Sequence, residues 1–130
     1  VELVTTKGPH ALQDVEYLIA KGIDVNNTKE KVTVFSGLAR DAVKNFPKNV
    51  NVAATVALMG IGFDRTKVTV GLDPKETGNS YDLQVAGVFG HFDAHTYNVP
   101  EPDNVRNSQL AVLSAIAALK RICRNEWFGV

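Results

Sequence analysis

The chain has 130 residues, 45% of them hydrophobic and 22% charged, which is the length and composition of one ordinary globular domain able to bury roughly two thirds of its unfolded surface. Fourteen Lys and Arg balance fourteen Asp and Glu, so no basic excess exists to neutralise phosphates, and nucleic acid is not an expected partner. The apolar stretches Val50 to Phe63 and Leu110 to Leu119 are too short and interrupted to span a bilayer, and a single Cys123 excludes a disulfide framework or a cysteine zinc site. A reducing, cytoplasmic setting is expected.

Glu2 to Thr6 has the β-branched content of a short strand. Pro9 suits a first helical turn, and Leu12, Val15 and Ile19 recur at helical spacing until Gly22 stops the run. Lys31 to Phe35 reads as a strand and Leu38 to Asn45 as a helix stopped by Pro47. Val50 to Met59 is nearly all apolar, which predicts a buried helix ending at Gly60. The period then changes to two: Val68, Val70 and Leu72 form one strand, and Leu83, Val85 and Phe89 another. His91 to Tyr97 makes a third, joined to its neighbour by a hairpin around Gly90. Asn104 to Asn107 reads as a polar loop, and Ser108 to Cys123 as a closing helix with Ser108 at its N-cap.

The expected order is β-α-β-α-α-β-β-β-α. It predicts a single α+β domain over residues 1–130, with a mixed, largely antiparallel sheet, helices on one face, and the other face available for dimerisation.

Several polar residues carry candidate chemistry. Asn49 and Asn51 flank Val50 where a Pro-containing segment becomes helical; one of them caps the helix, or Asn51 turns its amide to a ligand at the helix N-terminus. Tyr81 opens the Leu83 strand and shares its face, beside Asn79. Lys7 reads as a solubilising surface lysine, with a contact to a carboxylate or phosphate as the alternative. His91, Asp93 and His95 alternate along one strand, a spacing that lets them share a zinc or iron ion; a polar sheet face is the favoured alternative. His10 reads as a surface residue. The only Gly-x-Gly, Gly60-Ile-Gly62, lacks a third glycine and follows a helix, so it reads as a helix stop rather than a dinucleotide loop.

The blocks Phe35-Ser-Gly-Leu-Ala-Arg-Asp-Ala-Val43, Phe46-Pro-Lys-Asn-Val-Asn-Val-Ala-Ala-Thr55 and Gly60-Ile-Gly-Phe-Asp64 resemble the second domain of the L-aspartate dehydrogenase family, with the likeness continuing to Lys120. Thr5-Thr-Lys-Gly-Pro9 is similar to a recurrent Thr-x-Lys-x-Pro stretch of that family, and Asn104-Val-Arg-Asn-Ser108 falls where relatives show Asn-Pro-Lys-Thr-Ser. The resemblance implies the catalytic and dimerisation half of a homodimeric oxidoreductase. That enzyme converts L-aspartate to iminoaspartate with NAD or NADP, on a route toward NAD biosynthesis. It implies that Asn51, with Asn49, lies at the nicotinamide, that Asn79 and Arg106 serve the substrate, and that Tyr81 stands where the family's catalytic histidine belongs. Two departures follow. A tyrosine is a poor base at neutral pH, so activity is expected to be impaired. The nucleotide-binding half is absent from these 130 residues, which open on Val rather than Met, so the expectation is a piece of a longer enzyme, inactive alone. The competing expectation is a non-catalytic dimerisation or interaction module on the same fold.

Overall fold

The computed structural model describes residues 1–101 and 104–124, with side chains placed at 1–100 and 108–124. The chain divides into two compact units, Val1–Tyr97 and a second beginning at Asn98.

The first unit is built on a five-stranded sheet in the order β2-β3-β1-β4-β5, formed by β1 (Glu2–Lys7), β2 (Val32–Leu38), β3 (Lys67–Leu72), β4 (Asn79–Gly87) and β5 (Gly90–Asn98). β1 runs parallel to β3 and antiparallel to β4, while β2 is antiparallel to β3. A two-residue connection, Val88-Phe89, separates β4 from its neighbour β5, and only an antiparallel pair can be joined so tightly. The sheet is therefore mixed and largely antiparallel, as the period-two runs predicted. Phe89 falls in the turn, largely exposed, rather than continuing the inward face of β4.

Register decides what the sheet buries. Leu3 pairs with Val68 and Leu83, Thr5 with Val70 and Tyr81, and Lys7 with Leu72 and Asn79. Directly paired residues project to the same side, so these nine residues form three rows on one face. Leu3, Val68, Val70 and Leu72 are fully buried there, beneath Leu12, Leu18, Ala39, Ala42, Phe46, Ala53 and Ala57 from the helices. Tyr17, Phe35 and Phe46 lock the helices to β2 through ring contacts with centroids 5.3–6.0 Å apart. The opposite face is polar: Ser36 Oγ lies 3.4 Å from Thr69 Oγ1, and Asp82 Oδ1 lies 2.5 Å from His95 Nδ1.

The helices depart from the sequence expectation in three ways. Instead of one helix from Pro9 there are two, α1 (Pro9–Leu12) and α2 (Glu16–Ala20), because Val15 turns extended and buries its side chain. That turn rotates the second segment so that Leu18, not Ile19, enters the core; Ile19 is 63% exposed. Gly22 stops α2 as expected, at φ +68°, with Gly22 N–H donating to Ile19 C=O and Ile23 N–H to Leu18 C=O, a Schellman closure. Following α3 (Ala39–Asn45), α4 (Asn51–Met59) is not a buried helix: only Ala53 and Ala57 are buried, while Leu58 and Met59 are exposed. Apolar composition without a strong amphipathic pattern cannot say which side meets the core, and here the small residues do. Gly60 ends α4, and a Cβ there would meet Val56 C=O at 2.7 Å; Gly62, at φ +90°, closes the end by donating to Ala57 C=O.

The second unit contains a small ladder, β6 (Pro100–Glu101) with β7 (Asn104–Ser108), and α5 (Gln109–Arg124). The expected loop at Asn104 to Asn107 is thus a strand, because a partner strand takes up its backbone groups. Ser108 does not act as the expected cap, since its buried hydroxyl has no hydrogen-bond partner among the described residues. No described residue of α5 is buried, and Leu110, Val112, Leu113, Ile116, Leu119 and Ile122 are all exposed. Among the described residues no helix is long and apolar enough to cross a membrane.

Truncating Phe46, which is fully buried at the ring cluster, is expected to cost about 3–5 kcal/mol as Phe46→Ala, whereas Leu58→Ala on the exposed side of α4 should stay within about 0.5 kcal/mol of wild type. Urea unfolding midpoints of the two variants distinguish this packing from a helix buried all round.

Candidate functional site

The three rows of the core face do not end in the same chemistry. Leu3, Val68 and Leu83 make an apolar row; Thr5 and Tyr81 begin to introduce oxygen; Lys7 and Asn79 close the sequence at the C-terminal end of β1. Lys7 is only 5% exposed. This overturns its reading as a surface lysine, and the signal was available in the strand period: Lys7 lies four residues from Leu3, on the side of β1 that faces inward.

Lys7 Nζ donates to Asn79 Oδ1 at 2.7 Å and stands 5.7 Å from the centroid of the Tyr81 ring. Among the described residues no carboxylate comes within ion-pair range of Nζ. Burial without a counter-charge pushes Lys7 down from 10.5 to about 8. The same burial acts in the opposite sense on the half-buried Tyr81 phenol and raises it above its ordinary 10. Thr5, opposite Tyr81, is also buried, and its Oγ1 has no hydrogen-bond partner among the described residues.

Around this group the backbone is tightly drawn. The segment between β3 and β4 passes so close to Gly8 that a Cβ there would collide with Glu76 C=O. Asp73 N–H donates to Lys7 C=O, and the Glu76 carboxylate accepts from Gly78 N–H at 3.1 Å and Ser80 Oγ at 2.7 Å. Glu76 is thus committed to holding its own turn.

The start of α4 is tied to the same end of β1. Asn49 Nδ2 donates to Ala11 C=O on α1, the helix that begins two residues after Lys7, at 2.7 Å. Val50, not either asparagine, is the N-cap of α4, and no side chain caps it. The capping expectation therefore fails: Asn49 braces α1 instead, and Asn51 is the first residue of the helix. The Asn51 side chain is exposed and makes no hydrogen bond among the described residues, so its amide is free to meet a ligand beside the unpaired N–H groups of the first turn. A ligand carrying a carbonyl or amide group fits such a side chain; Asn49, already engaged, fits it less well.

Of the sequence-predicted site residues, Asn79 and Tyr81 lie two apart on β4, with Lys7 bonded to the first and facing the ring of the second. Asn49 and Asn51 stand at the α4 entrance. The Arg106 side chain lies outside the described residues. The alternating His91, Asp93 and His95 do not gather as metal ligands: among the described residues no three His, Cys, Asp or Glu side chains converge, and His95 pairs with Asp82 instead. His91 and Asp93 border a hollow of about 480 Å³ at the N-terminal end of β1, lined also by Val1, Lys67 and Gln84. His10 is exposed, as expected.

A sequence model described as "Aspartate dehydrogenase, C-terminal" matches residues 1–122. The chain is 45% identical over 122 residues to the L-aspartate dehydrogenase of Methanococcoides burtonii, covering 94% of this chain and 45% of that protein. It is 36% identical over 126 residues to the L-aspartate dehydrogenase of Nitrosopumilus maritimus, covering 97% and 46%. Among solved structures it is similar to the 1.9 Å crystal structure of aspartate dehydrogenase from Thermotoga maritima, with a TM-score of 0.66 and 28% identity, covering 98% of this chain and 46% of that one. The chain therefore spans a little under half the length of the curated relatives it matches.

The buried lysine gives a signed pH dependence. Its folded value of about 8 lies below the unfolded 10.5, so between these limits the unfolded chain holds more protons and stability rises with pH. Below about pH 8 the full penalty, about 3 kcal/mol, is present; above 10.5 it is gone. Lys7→Met is expected to be more stable than wild type at pH 7, with the difference closing as pH rises through that window, measured by urea unfolding at pH 7, 9 and 10.5.

Proposed function

We propose, for a chain that belongs to the family of aspartate dehydrogenase C-terminal domains, that it is the substrate-holding half of an NAD(P)-dependent L-aspartate dehydrogenase. The whole enzyme would convert L-aspartate to iminoaspartate in the cytoplasm, as a homodimer. The observation that supports this reading is the polar end of the core face, where Lys7, Asn79 and Tyr81 sit together beside the entrance to α4.

A dicarboxylic amino acid suits that group. The group offers hydrogen-bond donors to a substrate carboxylate, and among the described residues no protein carboxylate competes for them by pairing with Lys7. Asn79 holds the Lys7 amine in place through Oδ1 and retains an amide N–H₂ to offer. Tyr81, kept neutral by burial, donates its O–H to a substrate carboxylate rather than accepting a proton. Asn51 offers its free amide to the nicotinamide. The bound dinucleotide supplies the hydride acceptor, and its remaining contacts belong to a nucleotide-binding half. Arg106 is proposed as a second carboxylate clamp.

The apolar residues left exposed on α5 favour a second copy of the chain as their cover, because a stripe of Leu113, Ile116 and Leu119 in water costs stability that self-association recovers.

In the chain joined to a nucleotide-binding half, L-aspartate should drive NAD(P)H formation, and Tyr81→His should raise kcat about tenfold or more at pH 7 by placing a group of ordinary pKa near 6.5 beside the substrate. Equal rates would show that Tyr81 imposes no impairment, and absent turnover in both proteins would refute the aspartate reading in favour of a non-catalytic module. Asn51→Ala is expected to raise the dinucleotide KM about tenfold with kcat little changed, the worth of one hydrogen bond. Replacing Leu113 and Ile116 together by Glu should halve the mass measured by light scattering.

A further inference from the structure

Resting on that reading, we infer that Lys7, not the residue at position 81, takes the substrate proton in this enzyme, with Asn79 as the residue that positions it.

Geometry carries the assignment. Lys7 is the only amine on the buried rows of the core face, at the end where Asn79 and Tyr81 meet it across the β1–β4 pair. Its Nζ is held at 2.7 Å by an acceptor that takes one N–H, leaving the rest of the nitrogen directed by that anchor. The tyrosine ring lies 5.7 Å away, close enough for one small substrate to touch both groups. The unpartnered Thr5 hydroxyl lies in the next row, so the group is not a closed hydrogen-bond network.

The surrounding charges leave the amine free to act. Tyr81 stays protonated through the neutral range. Glu76 is bound to Gly78 and Ser80, Asp73 accepts from Lys75 N–H, and the side chains of Lys75 and of His10 on α1 are exposed. None forms an ion pair with Lys7 among the described residues. A strong carboxylate partner would hold the ammonium charged; its absence, with burial, lets the amine lose its proton near pH 8, where a base is most effective.

The step balances simply. The ammonium N–H bond of L-aspartate breaks, its electron pair stays on the substrate nitrogen, and the proton goes to the Lys7 Nζ lone pair. That nitrogen pair then forms the C=N bond as the Cα hydrogen leaves with its bonding pair for an oxidised nicotinamide. Lys7 ends as the ammonium, iminoaspartate as the oxidised product, and the nicotinamide as the reduced partner.

The test uses the chain joined to its nucleotide-binding half, with wild type, Lys7→Met, Lys7→Arg, Asn79→Ala and Tyr81→Phe. Lys7→Met should lower kcat at least 100-fold with KM within a few-fold, and added ethylamine should restore part of the rate. Lys7→Arg should not restore it, because a guanidinium does not deprotonate. Tyr81→Phe should lose less than tenfold and keep the rise in kcat with pH around 8, while Asn79→Ala should shift that rise. In the same wild-type protein, the ε-carbon resonance of Lys7 should titrate near 8. A Lys7→Met enzyme within threefold of wild type, a Lys7 midpoint near 10.5, or a pH rise abolished by Tyr81→Phe each overturns the assignment. Turnover by Tyr81→His but not by wild type overturns it too, with the aspartate reading intact; no turnover in either overturns both. Thermal unfolding of each variant separates a lost base from a lost fold.

Discussion

The double pairing of β1 is the constraint on which the rest depends. A strand hydrogen-bonded on both sides cannot slip by one residue without exposing Leu3 and burying Glu2, a change that loses the centre of the core. Once that register is held, the period of two carries Thr5 and then Lys7 to the same side, whatever the cost of burying an amine. The helices complete the enclosure: α1 starts two residues after Lys7, and Asn49 ties it to the start of α4. A packing decision made by Leu3 thus becomes an electrostatic condition at Lys7.

That condition links stability to chemistry. Desolvation moves an amine and a phenol in opposite senses, because burial disfavours the ammonium in one case and the phenolate in the other. Two neighbouring groups with displaced titrations can divide the work of donor and acceptor between them. The folding penalty at Lys7 below pH 8 is the thermodynamic counterpart of this desolvation.

Much of the architecture was legible beforehand. β3 announced itself by Val68, Val70 and Leu72, and Gly22 marked the end of α2 because a left-handed residue is needed there. The blocks around Phe35, Asn51 and Gly60 pointed to the family to which the chain belongs. Less legible were features set by distant partners. Ile19 and Leu18 are adjacent apolar residues, and only the turn at Val15 chooses between them. Nothing local distinguishes a polar loop from β7, since the partner strand supplies the hydrogen bonds. Asn49 looked like a helix cap because capping is a local preference, yet Ala11 C=O, 38 residues earlier, claims its amide.

Local chemistry, then, was written in the order of residues: alternating side chains made strands, and glycines ended helices. Proximity was not. Lys7 and Asn79 are 72 residues apart, and neither knows of the other until β1 and β4 pair. The protonation of a buried amine depends on the water removed by the whole core, and only the folded chain removes it.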